Sequence, residues 1–364
     1  MSLESLGARF HRHTHIAPKV LFLNAVSGSG KALFGPIVSS LDRVEKHRLE
    51  HIFEYLGIQG AFGKVSQDVV VSMMKLYADF TLYNNLISRE VNLRPFDDTG
   101  IIPSPFRFRY LARLFTKDGD AVMERIKGEN PILCVCTLHL HVGLHFAFEA
   151  IGERLRIFEI VRHPLFLIKH WASYIDRIGT DPREFSLWIS DEAGGSVPWF
   201  AAPWKREFRR WSAMDKAIRS LDWITAQREL AYKRLNSAQM RQVLFLPFEH
   251  FVVDPWPLIR QMEILLETKA TPATCSMLKY HKCPRKAFTD GRGHRGYGWK
   301  KPKNDSNNKT EAESMMEMVQ SRASDESKQL FIRLCEDYEA RFGVNVICDN
   351  RSGPGGAAPA QVSV

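Results

Sequence analysis

The sequence predicts an α/β fold: a central parallel sheet flanked by helices, with large helical insertions. Three observations carry this reading. Four short runs rich in β-branched and aromatic residues are each followed by a helix-like segment, which implies crossover units and parallel pairing. Each run gives way to a polar or glycine-rich stretch, and in such sheets ligands bind beyond the carboxyl ends of the strands. The chain has 364 residues, 45% hydrophobic and 25% charged, enough to bury a sizeable core.

The elements follow in order. Lys19-Val-Leu-Phe-Leu23 is the first strand, and a Gly/Ser turn leads from it into a helix over Leu33 to Leu41. Pro36 lies in the second turn of that helix, deletes a backbone bond and predicts a kink. Between the first and second strands a helical insertion is predicted over about 44–127, where Val44, Leu49, Ile52, Phe53 and Leu56 recur at helical spacing. Asp118 or Asp120 caps the helix that ends near Gly128. Pro131 to Cys136 is the second strand, leading through a His-rich turn to an apolar helix near Leu144 to Ile151. Leu155 to Val161 is the third, leading through Arg162-His-Pro164 to a helix ending about Ile178. A second insertion, about 180–235, holds a helical block from Trp204 to Leu235 dense in Arg, Lys and Trp. Gln242 to Leu246 is the fourth strand, before an amphipathic helix at Trp256 to Leu266. The expected organisation is an N-terminal extension (1–18), a single α/β domain (19–348) and a disordered Gly/Ala/Pro tail (349–364).

Lys and Arg number 50 against 41 Asp and Glu, a formal net charge of +9. That excess favours an anionic partner without choosing among nucleic acid, a membrane face and a phosphorylated small molecule. No apolar run approaches the roughly 18–20 residues that cross a bilayer. The N-terminal stretch lacks the apolar region of a secretory signal, so the cytoplasm is the expected location. Cys134 and Cys136 alternate within an apolar strand and fall on one face of it. They read as reduced, packed thiols, because a zinc site would have to borrow the histidines that follow; no metal is expected.

Ala25-Val-Ser-Gly-Ser-Gly-Lys-Ala32 stands between a strand and a helix. Small residues there let successive backbone N–H groups of Ser27, Gly28, Ser29 and Gly30 curl around an anion, the helix N-terminus adds partial positive charge, and Lys31 adds a full one. The pattern nearly satisfies the nucleotide-binding P-loop, so the sheet is read as P-loop-like. Ala25 replaces the first glycine, however, and Ala32 replaces the hydroxyl residue that holds magnesium. Phosphate binding without magnesium remains.

The strand and turn Leu21 to Gly30 resemble the 5′-phosphosulfate-binding loop of the sulfotransferases, P-loop relatives that use 3′-phosphoadenosine 5′-phosphosulfate (PAPS) as sulfuryl donor. In that family a lysine commonly precedes the Ser-Gly pair, where this chain has Val26; Lys31 follows the loop instead and is carried over as the catalytic lysine. Phe158-Glu-Ile-Val-Arg-His-Pro164 resembles the second signature, whose arginine holds the donor's 3′-phosphate; a guanidinium at a strand's carboxyl end suits bidentate phosphate binding. A serine eight residues on normally shares that task. His170 stands there, with Ser173 one helical turn later, and Ser173 is slightly favoured.

Thr137-Leu-His-Leu-His141 follows the second strand, where the family's His-Leu-Pro segment supplies a general base. His139 precedes Arg162 by 23 residues, in agreement with the resemblance, although His141 replaces the proline. Imidazole titrates near neutrality and suits the task. Either histidine can serve, and His139 is preferred; were the strand to continue, the two would point to opposite sides.

From Lys282 to Lys303 there are eight Lys or Arg against Asp290 alone. Within it Gly291 to Lys300 resembles the family's glycine-rich loop that closes over the 3′-phosphate, which implies ligand contacts from Arg292, Gly293 and Arg295. Leu246-Pro-Phe-Glu249 and Leu330 to Phe342 resemble a late strand and the closing helix, with Glu249 structural. The resemblance implies a metal-independent sulfotransferase acting on a hydroxyl or amine of a small-molecule, lipid or carbohydrate acceptor. A P-loop kinase and a non-catalytic anion- or RNA-binding protein are the rivals; no nucleic-acid partner is expected.

Overall fold

A computed structural model describes residues 7–117, 119–190, 195–288 and 308–347. Its centre is a five-stranded, wholly parallel sheet in the order β2-β3-β1-β4-β7. The strands are β1 (Lys19–Asn24), β2 (Arg48–Leu49), β3 (Ile132–Thr137), β4 (Leu155–Val161) and β7 (Val243–Pro247). A small antiparallel pair, β5 (Trp188–Ser190) and β6 (Ser196–Pro198), stands apart.

Alternation sorts the strand side chains onto two faces, because successive residues point to opposite sides. Val20, Phe22, Leu133, Val135, Leu155 and Ile157 pack into one core, with the helices Ile52–Ala61, Gln67–Leu86 and Leu144–Ile151. Leu21, Leu23, Cys134, Cys136, Phe158 and Ile160 pack into a second, with Lys31–Val38, Phe248–Val253 and Pro255–Leu266. A third core joins Pro164–Arg177, Ala213–Lys233, Asn308–Arg322 and Asp325–Phe342. Each fully buried Leu or Phe contributes about 1.5–3 kcal/mol, which is why a charged residue inside such a strand has to be explained.

The chain leaves β1 toward β3 on one side and returns through β4 on the other. Reversal of strand order opens a crevice at the carboxyl ends of β3, β1 and β4. All three strands deliver the segments singled out from the sequence to that crevice.

Three sequence expectations are corrected. The helical spacing from Val44 to Leu56 is accidental over its first half: Val44 bridges Ile132, and Arg48 and Leu49 pair with Val135 and Cys136 as an edge strand. A parallel partner already in place captures the segment, and the helix starts only at Ile52. Asp120 is the first residue of its helix rather than its cap; Gly119 is the cap and offers no side chain, and Asp118 lies outside the described residues. The 180–235 insertion carries the β5–β6 hairpin as well as helices. As the sequence reads it, the strand before His139 ends, at Thr137, and the chain turns, here into a short 3₁₀ segment; the rings of His139 and His141 meet edge-on at 5.8 Å.

Candidate active site at the strand tips

Two glycines shape the turn after β1. Gly28 has φ +88° and Gly30 φ +106°, both in the region that disfavours L side chains. Space forbids a side chain as well: a Cβ on Gly28 would lie 2.8 Å from the His170 ring, and one on Gly30 would lie 2.7 Å from Phe248. The turn closes on itself through Ser29 N–H to the Val26 carbonyl at 3.2 Å, so that amide is committed inside the loop. Among the described residues the amides of Ser27, Gly28 and Gly30 meet no backbone acceptor. The Ser29 hydroxyl is buried with no hydrogen-bond partner.

The helix Pro164–Arg177 buttresses the turn. Pro164 starts it, where a missing N–H costs nothing, and His163 caps it by accepting from Leu165 N–H at 3.2 Å. Trp171 Nε1 donates to the Ser27 carbonyl at 3.0 Å, and His170 Nε2 lies 2.8 Å from Ser27 Oγ. His170 therefore touches the turn directly, whereas Ser173 is exposed one helical turn further on.

Arg162 leaves the end of β4 and donates from Nη1 to the Gly28 carbonyl at 2.8 Å. Its guanidinium stacks 4.4 Å from the centre of the Phe248 ring, and its Nε is buried without an acceptor. Burial pulls its pKa down, opposed first by the neighbouring Glu249 carboxylate. Glu249 is itself engaged in structure, accepting from His163 N–H at 3.0 Å and from the Tyr338 hydroxyl at 2.6 Å. The turn and the arginine, 134 residues apart in sequence, thus form one surface.

Lys31 folds back across the strand tips. Its Nζ donates to the carbonyls of Ala25 (2.9 Å) and Thr137 (3.2 Å), bridging β1 and β3. Burial lowers its pKa to about 8, against the attraction of Glu54, Cys136 and Glu159.

His139 stands at the end of the same crevice, its ring 5.1 Å from Trp199 and its Nδ1 buried without a partner. Burial lowers its pKa to about 4, against the opposing charge of Glu54, which corrects the near-neutral titration expected from the sequence. Glu54 holds the segment in place: its Oε2 accepts from Leu138 N–H (2.7 Å) and His139 N–H (3.2 Å), and its Oε1 lies 2.6 Å from His51 Nδ1. His141 is buried with neither ring nitrogen partnered, and burial, then the neighbouring His139, push its pKa well down.

Beneath these residues runs a polar layer that sequence reasoning missed. Asn24, Thr137 and Glu159 are register partners on adjacent strands. Asn24 Nδ2 donates to Glu159 Oε2 at 2.6 Å, while its Oδ1 accepts from Thr137 Oγ1 (2.9 Å) and Leu140 N–H (3.1 Å). Tyr232 donates to Glu159 Oε2 at 2.7 Å, and Arg228 Nη1 lies 3.8 Å from Oε1. Burial raises the Glu159 pKa, with Arg228 pulling the other way. The signal for this layer is a glutamate inside the apolar run Phe158-Glu-Ile-Val; Glu54 and Tyr232 carry no comparable sequence signal because their partners lie far along the chain.

Arg292, Gly293 and Arg295 lie outside the described residues. No group of three or more His, Cys, Asp or Glu among the described residues is arranged to hold a metal ion, and none of their helices is long and apolar enough to cross a membrane.

No family model matches the sequence, and no curated protein matches it. Solved structures similar to the chain include three sulfotransferases. A sulfotransferase domain from the curacin biosynthetic pathway aligns with TM-score 0.43 and 10% identity, over 88% of this chain and 98% of that one. A sulfotransferase domain from the Synechococcus olefin synthase aligns with TM-score 0.37 and 11% identity, over 91% and 98%. A sulfotransferase from Mycobacterium avium aligns with TM-score 0.38 and 10% identity, over 92% and 79%.

Proposed function

We propose that this chain transfers a sulfuryl group from PAPS to a hydroxyl or amine of a small-molecule, lipid or carbohydrate acceptor. One observation carries the reading: Arg162 reaches the glycine turn itself, and the two leave buried polar groups, Ser29 Oγ and Arg162 Nε, without partners. Buried donors of this kind cost about 1–3 kcal/mol each unless something satisfies them, and an anion does. A ligand with phosphate on both sides of its ribose fits this pair.

PAPS supplies an activated sulfuryl group. The turn amides and Ser29 hold its 5′-phosphate, and Arg162 takes the 3′-phosphate that separates this donor from ATP, with His170 or Ser173 and the loop of Arg292, Gly293 and Arg295 assisting. Lys31 neutralises charge at the turn as a leaving oxygen becomes anionic. His139, neutral at pH 7, accepts the acceptor's proton at a ring nitrogen, and the nearby Glu54 carboxylate stabilises the imidazolium that results. Ala32 has no hydroxyl for a magnesium ion, which sets the chain apart from P-loop kinases.

Calorimetry without divalent metal tests the proposal. Adenosine 3′,5′-bisphosphate is expected to bind and ATP to bind much more weakly; a preference for ATP overturns it. In Arg162→Ala the bisphosphate affinity is expected to fall by about 1.5–3 kcal/mol, the worth of a charged hydrogen bond.

A further inference from the structure

The segment between residues 88 and 117 carries large apolar side chains that the fold does not use. Phe96 is 93% exposed, Phe108 72%, Phe115 90% and Leu93 51%. Exposed apolar groups gathered in one region mark interaction sites. These rings belong to two structures attached to one residue at the sheet edge. The Lys46 backbone N–H donates to the Tyr110 hydroxyl at 2.6 Å, fixing the helix Arg107–Arg113, while its Nζ donates to the Asp98 carbonyl at 2.6 Å, fixing the loop that presents Phe96. Ile101 N–H to the Asn92 carbonyl, 2.8 Å, closes that loop and leaves Leu93 to Phe96 at its tip. Phe108 and Phe115, seven residues apart, fall on the same side of the helix and the turn that extends it.

Cations are interleaved with the rings. Arg94 sits between Leu93 and Phe96, Arg107 precedes Phe108, and Lys117 follows Phe115; all three are exposed. Of the acids nearby, Asp97 turns back to accept from the Thr99 amide and hydroxyl (2.9 and 2.8 Å), and Glu90 faces Arg48 at 3.5 Å. Asp98 remains exposed among the cations.

We infer that this face docks on the surface of a bilayer containing acidic phospholipid, with Phe96, Phe108 and Phe115 entering the acyl boundary and Arg94, Arg107 and Lys117 at the phosphates. Phe96 and Phe115, 93% and 90% exposed, have almost nothing packed against them and line no pocket for a rigid protein partner. A fluid apolar phase accepts separate protruding rings, and anionic headgroups complement the cations between them. The inference is independent of the reaction at the strand tips.

The test is co-sedimentation of the full chain with vesicles of phosphatidylcholine alone and of phosphatidylcholine with phosphatidylserine. Binding is expected to the acidic vesicles, weakened at high salt. It is expected to fall at least tenfold in the triple variant F96S/F108S/F115S and about fivefold for each cation changed to Gln. An unchanged melting temperature shows that the variants fold, as exposed positions allow. Equal binding by the triple variant, or no binding to acidic vesicles, overturns the inference. So does self-association in analytical ultracentrifugation that the triple variant abolishes while vesicle binding is absent, because the occupant is then a second copy of the chain.

Discussion

At the scale of single residues, burial sets the protonation states that the proposed chemistry needs. Lys31 is surrounded by carbonyls and strand tips, and its pKa near 8 leaves it charged at neutrality. Affinity for adenosine 3′,5′-bisphosphate is therefore expected to be flat below pH 8 and to fall above it as the free protein loses that charge. Lys31→Met should bind more weakly and lose this alkaline limb, as calorimetry across pH 6 to 9.5 will read. Glu54 acts through His139 by holding the amides of residues 138 and 139 and by placing negative charge beside the ring. Glu54→Gln keeps an acceptor oxygen but removes the charge, so His139 becomes a weaker base. A drop of about tenfold in kcat with unchanged KM for the donor is expected, within the range that general-base catalysis spans. His139 and Arg162 were legible in the sequence as residues at strand ends. Glu54 was not, because what it does depends on a helix more than 80 residues away from the histidine segment.

At the scale of elements, the turn after β1 depends on two glycines whose backbone and surroundings both reject a side chain. In Gly30→Ala a methyl group meets Phe248, the ring on which Arg162 stacks. The substitution is expected to destabilise by about 1–3 kcal/mol through strain and overpacking, lowering the melting temperature. It should also weaken bisphosphate binding, since moving Phe248 moves the guanidinium. Element identity was readable wherever local signals agreed: Leu144–Ile151 and Leu155–Val161 occur where the apolar pattern places them. It failed at Arg48–Leu49, where pairing with β3 overrides a helical-looking spacing, and at the β5–β6 hairpin, whose strands of three residues are too short to show alternation.

At the scale of the molecule, acid is expected to unfold this protein in two stages. His47, His139 and His141 are held neutral, each because burial disfavours its charged form, with His139 near 4 and the others well below the ordinary value. The unfolded chain takes up these protons near pH 6.5 and the folded one only at lower pH. Stability is thus full above about pH 6.5 and declines below it, by about 3 kcal/mol from His139 alone by pH 4. Below the ordinary carboxylate range a second loss follows. Burial pushes the Glu45 pKa up, but its hydrogen bonds and charge pairing with Arg113 outweigh that and hold it down, so protonating it breaks the pair. Urea titrations at pH 8, 6 and 4.5 will check the slope; stability constant over that range contradicts it. The parallel sheet, the glycine turn and the strand-end arginine were determined by the sequence, because apolar periodicity, backbone freedom and charge are properties of neighbouring residues. That Arg162 meets Gly28, that Asn24, Thr137 and Glu159 form one layer, and that Glu54 braces His139 were decided only by tertiary structure. These contacts join residues 84 to 135 apart in sequence, and only the order in which strands enter the sheet brings such residues within hydrogen-bonding distance.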